Sequence, residues 1–171
     1  MSFSPVPNFR FHSLCDISPE FLQKNGIRLL LMDLDNTISP YKVNSPSDEM
    51  AQWIETMKRA GIRLFIVSNN KGDRPAVFSR LAGIPFLKLA RKPSRKGVRR
   101  AMELEGAKER ETALVGDQIY TDVLAANRTG IKSILVEPIL LQNPLHTIRY
   151  GLEAPFRFLK RKIKKSKEYG K

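Results

Sequence analysis

The stretch Ile27-Arg28-Leu29-Leu30-Leu31-Met32-Asp33-Leu34-Asp35-Asn36-Thr37 decides the fold. From Ile27 to Met32 it is apolar apart from Arg28 and then ends in a polar turn, the pattern of a strand buried on both faces. Asp33 and Asp35 follow at once. In extended backbone, residues two apart point to the same side, so the two carboxylates face one way with Leu34 buried between them. Adjacent like charges are costly unless a cation or a shared proton relieves them. Magnesium is a hard ion that bridges carboxylates to phosphates and would relieve them. An isolated pair of this kind is also a common acidic turn, so the rest of the chain must choose.

Outward from that strand, the pattern alternates. Ser45-Pro46, with Asp48 and Glu49 behind, reads as a helix start. Met50, Trp53, Ile54 and Met57 then mark one buried helical face, stopped by Gly61. Arg63 to Val67 is a second strand, ending in Ser68-Asn69-Asn70. Asp73 and Pro75 open a helix that carries Val77, Phe78 and Leu81 to Gly83, and Ile84 to Leu87 is a short third strand. Ser94 to Glu105 is a helix with Val98, Ala101 and Met102 inward. Thr112 to Val115 is a fourth strand, Asp122 to Arg128 a helix stopped by Gly130, and Lys132 to Val136 a fifth strand. Such βα units predict an α/β fold: five strands in a mostly parallel sheet with helices on both faces. Ligands of such sheets bind beyond the carboxyl ends of the strands. Three strands here end in Asp33, Ser68 and Asp117.

Gly116-Asp117-Gln118-Ile119-Tyr120-Thr121-Asp122 would bring Asp117 to the same sheet edge as Asp33 and Asp35. Asp122 reads equally as the cap of the next helix or as part of a metal site. Ser68-Asn69 alone is a turn signal, but beside a phosphate its hydroxyl and nearby N–H groups could bind oxygens. Lys92-Pro93 places a lysine just before a helix start, where anions are favoured.

In this order, D-x-D-x-T, S-N, K-P and G-D-x-x-x-x-D resemble the haloacid dehalogenase (HAD) superfamily over roughly Ile27 to Val136. The resemblance implies a Rossmann-like fold and a magnesium-dependent phosphatase. Asp33 would be the nucleophile that forms an aspartyl-phosphate, and Asp35 the acid and base. Mg²⁺ would be held by Asp33, the Asp35 carbonyl and Asp117, with Asp122 beside them. Ser68, Asn69 and Lys92 would bind the phosphoryl oxygens, with Thr37 fixing the loop at the phosphate. Asn36 stands where a glycine is frequent, and asparagine tolerates left-handed backbone. The intervals from Asp35 to Ser68 and from Ser68 to Lys92 leave no room for an inserted cap domain. Only Ser39 to Asn44 forms an evident flap.

The chain has 171 residues, 42% apolar, enough for one domain with a real core. We expect an arm over 1–26, a phosphatase domain over 27–148 and a basic tail over 149–171. Cys15 is the only cysteine, which excludes a disulfide framework and a thiolate metal cage. No apolar run spans a bilayer and no signal-peptide pattern opens the chain, so the expectation is a cytoplasmic protein, with a peripheral position on the inner membrane face as its membrane-bound form.

The net charge of +13 implies an anionic partner, and Arg149 to Lys171 holds nine basic and two acidic residues. In that tail Phe156, Leu159 and Ile163 share one side, as in a basic helix lying on anionic lipid. A solvated tail docked on the domain fits the same residues, and nucleic-acid contact is a third reading, though no stacking platform is present. Ile17-Ser-Pro-Glu-Phe-Leu, Ile66-Val-Ser-Asn-Asn, Gly83-Ile-Pro-Phe and Ala90-Arg-Lys-Pro are similar to the small class IIIA phosphatases related to the mitochondrial phosphatidylglycerophosphate phosphatase. That resemblance implies a lipid-borne phosphate as substrate. A soluble phosphate or polynucleotide end is the alternative substrate. A non-catalytic RNA-binding or assembly protein with a vestigial site is the alternative class.

Overall fold

A computed structural model describes residues 4–140 and 144–157. Its sheet has six strands, β1 (Phe9–Arg10), β2 (Leu29–Met32), β3 (Arg63–Val67), β4 (Phe86–Leu87), β5 (Thr112–Gly116) and β6 (Lys132–Leu135). They lie in the order β1-β6-β5-β2-β3-β4, every pair parallel. β2 is therefore central, with β3 and β5 on either side. The polar residues that follow these three strands, Asp33, Ser68 and Asp117, meet at one sheet edge as expected. No cap domain interrupts the chain among the described residues; α2 (Asp48–Arg59) and α3 (Arg74–Ala82) fill the intervals where one could be inserted.

The sheet's two faces follow from strand alternation. Leu30, Met32, Leu64, Ile66, Ala113 and Val115 face one way, onto Met50, Trp53, Ile54 and Met57 of α2. Leu29, Leu31, Phe65, Val67 and Leu114 face the other way, onto α4 (Arg95–Leu104) and α5 (Leu124–Thr129).

The sixth strand is the main difference from expectation. Residues 4–26, the described part of the expected arm, run along the domain and join its sheet and core. Phe9 and Arg10 pair with Ile134 and Leu135, and Leu14, Ile17 and Leu22, the last in α1 (Pro19–Lys24), enter the core. A two-residue strand is too short for alternation to reveal, so only the pairing shows it. α2 is capped by Ser47 rather than Ser45, whose neighbour Pro46 precedes the helix. In α3 only Phe78 of the expected face is buried; Val77 and Leu81 are 37% and 59% exposed. That helix covers the thin edge of the sheet at β4, so a single inward row suffices.

The tail is docked at its start. α6 (Pro144–Arg157) runs along the end of the sheet, and Phe156 packs against Ile119, Val123 and Leu135. For the partly buried Phe156 this contact matches the docked reading of the tail; Leu159 and Ile163 lie outside the described residues. No described helix is long and apolar enough to cross a membrane.

Candidate active site

Asp33 leaves the end of β2 still within the ladder, its N–H bonded to the Val115 carbonyl at 2.9 Å. The chain then turns sharply. Asn36 takes φ 62°, the left-handed region asparagine tolerates, and its N–H bonds the Ser39 carbonyl. Asp33 and Asp35 part company here. Asp33 is buried, whereas Asp35 sits at the rim, paired with Arg74 at 2.5 Å.

Inside, Asp33, Asp117 and Asp122 each offer a carboxylate oxygen within 4.8 Å of the others, all buried. Lys92 reaches into this cluster, its Nζ 2.6 Å from both Asp33 Oδ1 and Asp122 Oδ1. Gly116 makes the approach of Asp122 possible: a Cβ there would lie 2.3 Å from the Asp122 carboxyl carbon. Asp122 is no simple helix cap. It sits in a π-helical turn (Ile119–Val123), accepts from the Gln118 N–H at 3.2 Å, and turns its other oxygen to Lys92.

Lys92 is positioned by three neighbours. Asn69 grips its backbone on both sides, Nδ2 to the carbonyl at 2.9 Å and Oδ1 from the N–H at 2.7 Å. Arg128 donates to the Pro93 carbonyl. Gly97 lets α4 press onto this loop, since a Cβ there would meet the Ala90 carbonyl oxygen at 2.3 Å. The Asn69 side chain is therefore spent on holding Lys92, not free for a phosphate. Thr37 is likewise committed: its hydroxyl donates to Asp117 Oδ1 and accepts from the Asp117 N–H. Ser68 is fully buried, and its hydroxyl accepts from the Asn70 N–H at 3.0 Å, which leaves its own proton to donate.

Electrostatics follow from burial. Removal from water pushes the Asp33 carboxyl up to about 7, against the pull of Lys92 and with the help of Asp122 and Asp35. Burial, then Asp33 and Asp122, raises Asp117 well above the usual range, while the Thr37 hydroxyl opposes this. For Lys92 burial acts downward, but Asp122 and Asp33 outweigh it and keep the ammonium charged. With all three carboxylates ionised, one lysine would leave two negative charges for another cation to balance. The oxygen-only donor set and the residual charge fit a hard divalent ion.

Arg74 was not singled out in the sequence. Its guanidinium ties Asp35 to the flap, donating to the carbonyls of Pro40 at 2.8 Å and Val43 at 2.9 Å. Arg157 was read only as one charge of a basic tail, yet it is buried and bonds the Asp117 carbonyl at 2.5 Å. The signal for it was Glu153, an acid four residues earlier in a basic tract. Cys15 is half-buried, and burial, then Glu49, pushes its thiol up to about 11, which removes it as a nucleophile.

Comparison with known proteins places the chain in a family. A family profile described as HAD-hydrolase-like matches residues 89–138, the segment that carries Lys92, Asp117 and Asp122. The chain is 37% identical over 134 residues to the probable phosphatase YqeG of Bacillus subtilis (strain 168), covering 78% of each protein. A putative 3-deoxy-D-manno-octulosonate 8-phosphate phosphatase from Vibrio cholerae superposes with TM-score 0.55 at 16% identity, over 78% of this chain and 77% of that one. CbbY from Rhodobacter sphaeroides, solved with xylulose-(1,5)bisphosphate, superposes with TM-score 0.53 at 15% identity, over 66% and 86%. At those identities the two structures speak for the fold alone. The chain belongs to the haloacid dehalogenase superfamily. Within it, it is a phosphatase, with no cap domain among the described residues.

Proposed function

We propose that this phosphatase is a magnesium-dependent phosphomonoesterase that works through an aspartyl-phosphate on phosphatidylglycerophosphate at a membrane surface. The observation that carries the chemistry is the buried Asp33 carboxylate, held 2.6 Å from Lys92 at the tip of the central strand, with two further carboxylates beside it. Asp33 attacks phosphorus in line, and the P–O bond to the leaving alkoxide breaks as the new bond forms. Asp35 gives the leaving oxygen its proton and then takes one from the water that hydrolyses the acyl phosphate. Lys92 and the Ser68 hydroxyl compensate charge on the transferred oxygens. Arg74 orients the Asp35 carboxylate and draws the flap over it. Asp33, the Asp35 carbonyl and Asp117 would hold Mg²⁺, with Asp122 beside them; when bound, the ion supplies charge neutralisation for phosphoryl transfer.

Three features support a lipid-borne substrate: the uncapped site, the concentration of positive charge in Arg149 to Lys171, and the class IIIA sequence resemblance. The test is phosphate release from phosphatidylglycerophosphate in anionic vesicles with Mg²⁺, wild type against Asp33→Asn. Release by wild type and a loss of at least about a thousandfold in the variant is the expected result. Turnover of a soluble aryl phosphate with silence on the lipid would keep the mechanism and overturn the substrate. No turnover at all, with salt-sensitive RNA binding, would overturn the enzyme.

A further inference from the structure

We propose that Glu153 and Arg157 of α6 are positioning residues for the loop that carries Asp117, and that they set how tightly the site holds Mg²⁺. This rests on the reading of Asp117 as a metal ligand.

The loop after β5 has a backbone problem. It leaves a parallel strand and enters a π-helical turn, so the N–H groups of Ile119 and Tyr120 begin a helical turn with no carbonyl behind them. Glu153 answers from another element: its Oε1 accepts from Ile119 N–H at 2.9 Å and from Tyr120 N–H at 3.1 Å. Arg157, one turn further along α6, donates from Nη2 to Glu153 Oε2 at 3.2 Å and to the Asp117 carbonyl. The pair thus grips three peptide groups spanning Asp117 to Tyr120. Both side chains are almost fully buried, at 1% and 2% exposure.

The guanidinium is held at both terminal nitrogens and over one face. Glu137, just past β6, accepts from Nη1 at 3.2 Å, and the Tyr150 ring lies 4.0 Å from the guanidinium carbon. The Tyr150 hydroxyl in turn donates to the same Glu137 oxygen at 2.7 Å. Removing two charges from water is costly, and apolar side chains of similar size usually pack a helix at least as well. This pair does what apolar packing cannot: it supplies donors and an acceptor to one stretch of backbone. Opposite it, Thr37 holds the Asp117 carboxylate. Asp117 is therefore aimed from two sides, by Thr37 at its carboxylate and N–H and by Arg157 at its carbonyl.

Mg²⁺ demands near-ideal octahedral geometry, while Ca²⁺ accepts irregular sites. A loosened Asp117 should therefore weaken Mg²⁺ more than Ca²⁺. The experiment is calorimetric titration of each ion into the full-length wild type, Arg157→Met and Arg157→Lys, with circular dichroism to confirm folding. Arg157→Met should weaken Mg²⁺ about tenfold, the scale of residues that orient metal ligands, with a smaller loss for Ca²⁺. Arg157→Lys, which keeps one charged donor, should fall between. In turnover of an aryl phosphate the half-saturating Mg²⁺ should rise with it, while KM for the aryl phosphate moves less than about twofold, because Lys92 and Ser68 are untouched. Wild-type Mg²⁺ affinity in a folded Arg157→Met, or in Arg157→Lys should the first variant not fold, overturns the proposal. So does an equal loss for the two ions. Binding needs no turnover, so a wild type that binds Mg²⁺ yet hydrolyses nothing would overturn the function and leave this comparison standing.

Discussion

The inner and outer halves of the site are built from the same residue types but balanced differently. Inside, Asp33, Asp117 and Asp122 share one lysine and are shut away from water. Outside, Asp35 has an arginine of its own, a contact to Asn70, and a flap drawn over it by the same arginine. Ionised, the inner half carries surplus negative charge in a place where charge is expensive; in the outer half Asp35 is paired one to one with Arg74 and both are less buried. A site that is over-charged within and balanced without holds a cation at its floor and admits its substrate at its rim.

That contrast breaks first at Lys92. Lys92→Met leaves Asp33 and Asp122 buried without their cation and should cost about 3–5 kcal/mol, the usual result of removing one partner of a buried pair. Thermal unfolding without metal should show a drop of roughly 10 °C, and no drop would mean that water reaches the inner half.

Asp117→Asn sharpens the contrast in the opposite direction. It removes a buried carboxylate whose charge Lys92 does not balance, so the metal-free variant should be more stable than wild type at pH 8 by about 1–2 kcal/mol. Its stabilisation by Mg²⁺ should vanish. The pH dependence has a definite sign. Asp33 lies at about 7 in the folded protein against 3.8 ordinarily, and Asp117 is raised too. Between those values the folded state holds protons that the unfolded state has lost, so its stability falls as pH rises. Melting of metal-free wild type from pH 5 to 8 should show that fall, and Asp117→Asn should flatten it. A rise instead would mean the inner carboxylates are not desolvated.

The smallest effect belongs to the outer half. Arg74→Ala should leave the core intact and free the flap, since its bonds to Pro40 and Val43 are lost. Cleavage by trypsin after Lys42, an exposed residue, should accelerate by about tenfold, the factor that roughly 1.4 kcal/mol of local opening gives. An unchanged rate would show that the flap is held by its own turn.

The amino-acid sequence determined a good deal here. Alternating apolar runs, each ended by a polar turn, specify a parallel α/β sheet, because strand and helix periods are local properties that a linear pattern records. The same pattern placed Asp33, Ser68 and Asp117 at one sheet edge, since strand ends in such sheets fall together. Tertiary structure decided the partners. Thr37 ties Asp117, Asn69 braces Lys92, Arg74 takes Asp35, and Arg157 reaches the Asp117 peptide from 40 residues away. None of these pairings has a period, and a polar side chain spent on a distant backbone looks, in the sequence, like one that is free. The short strand Phe9–Arg10 was hidden for the same reason, since it exists only because a distant strand offers it a partner, and the sequence left the docking of the tail as one of several readings.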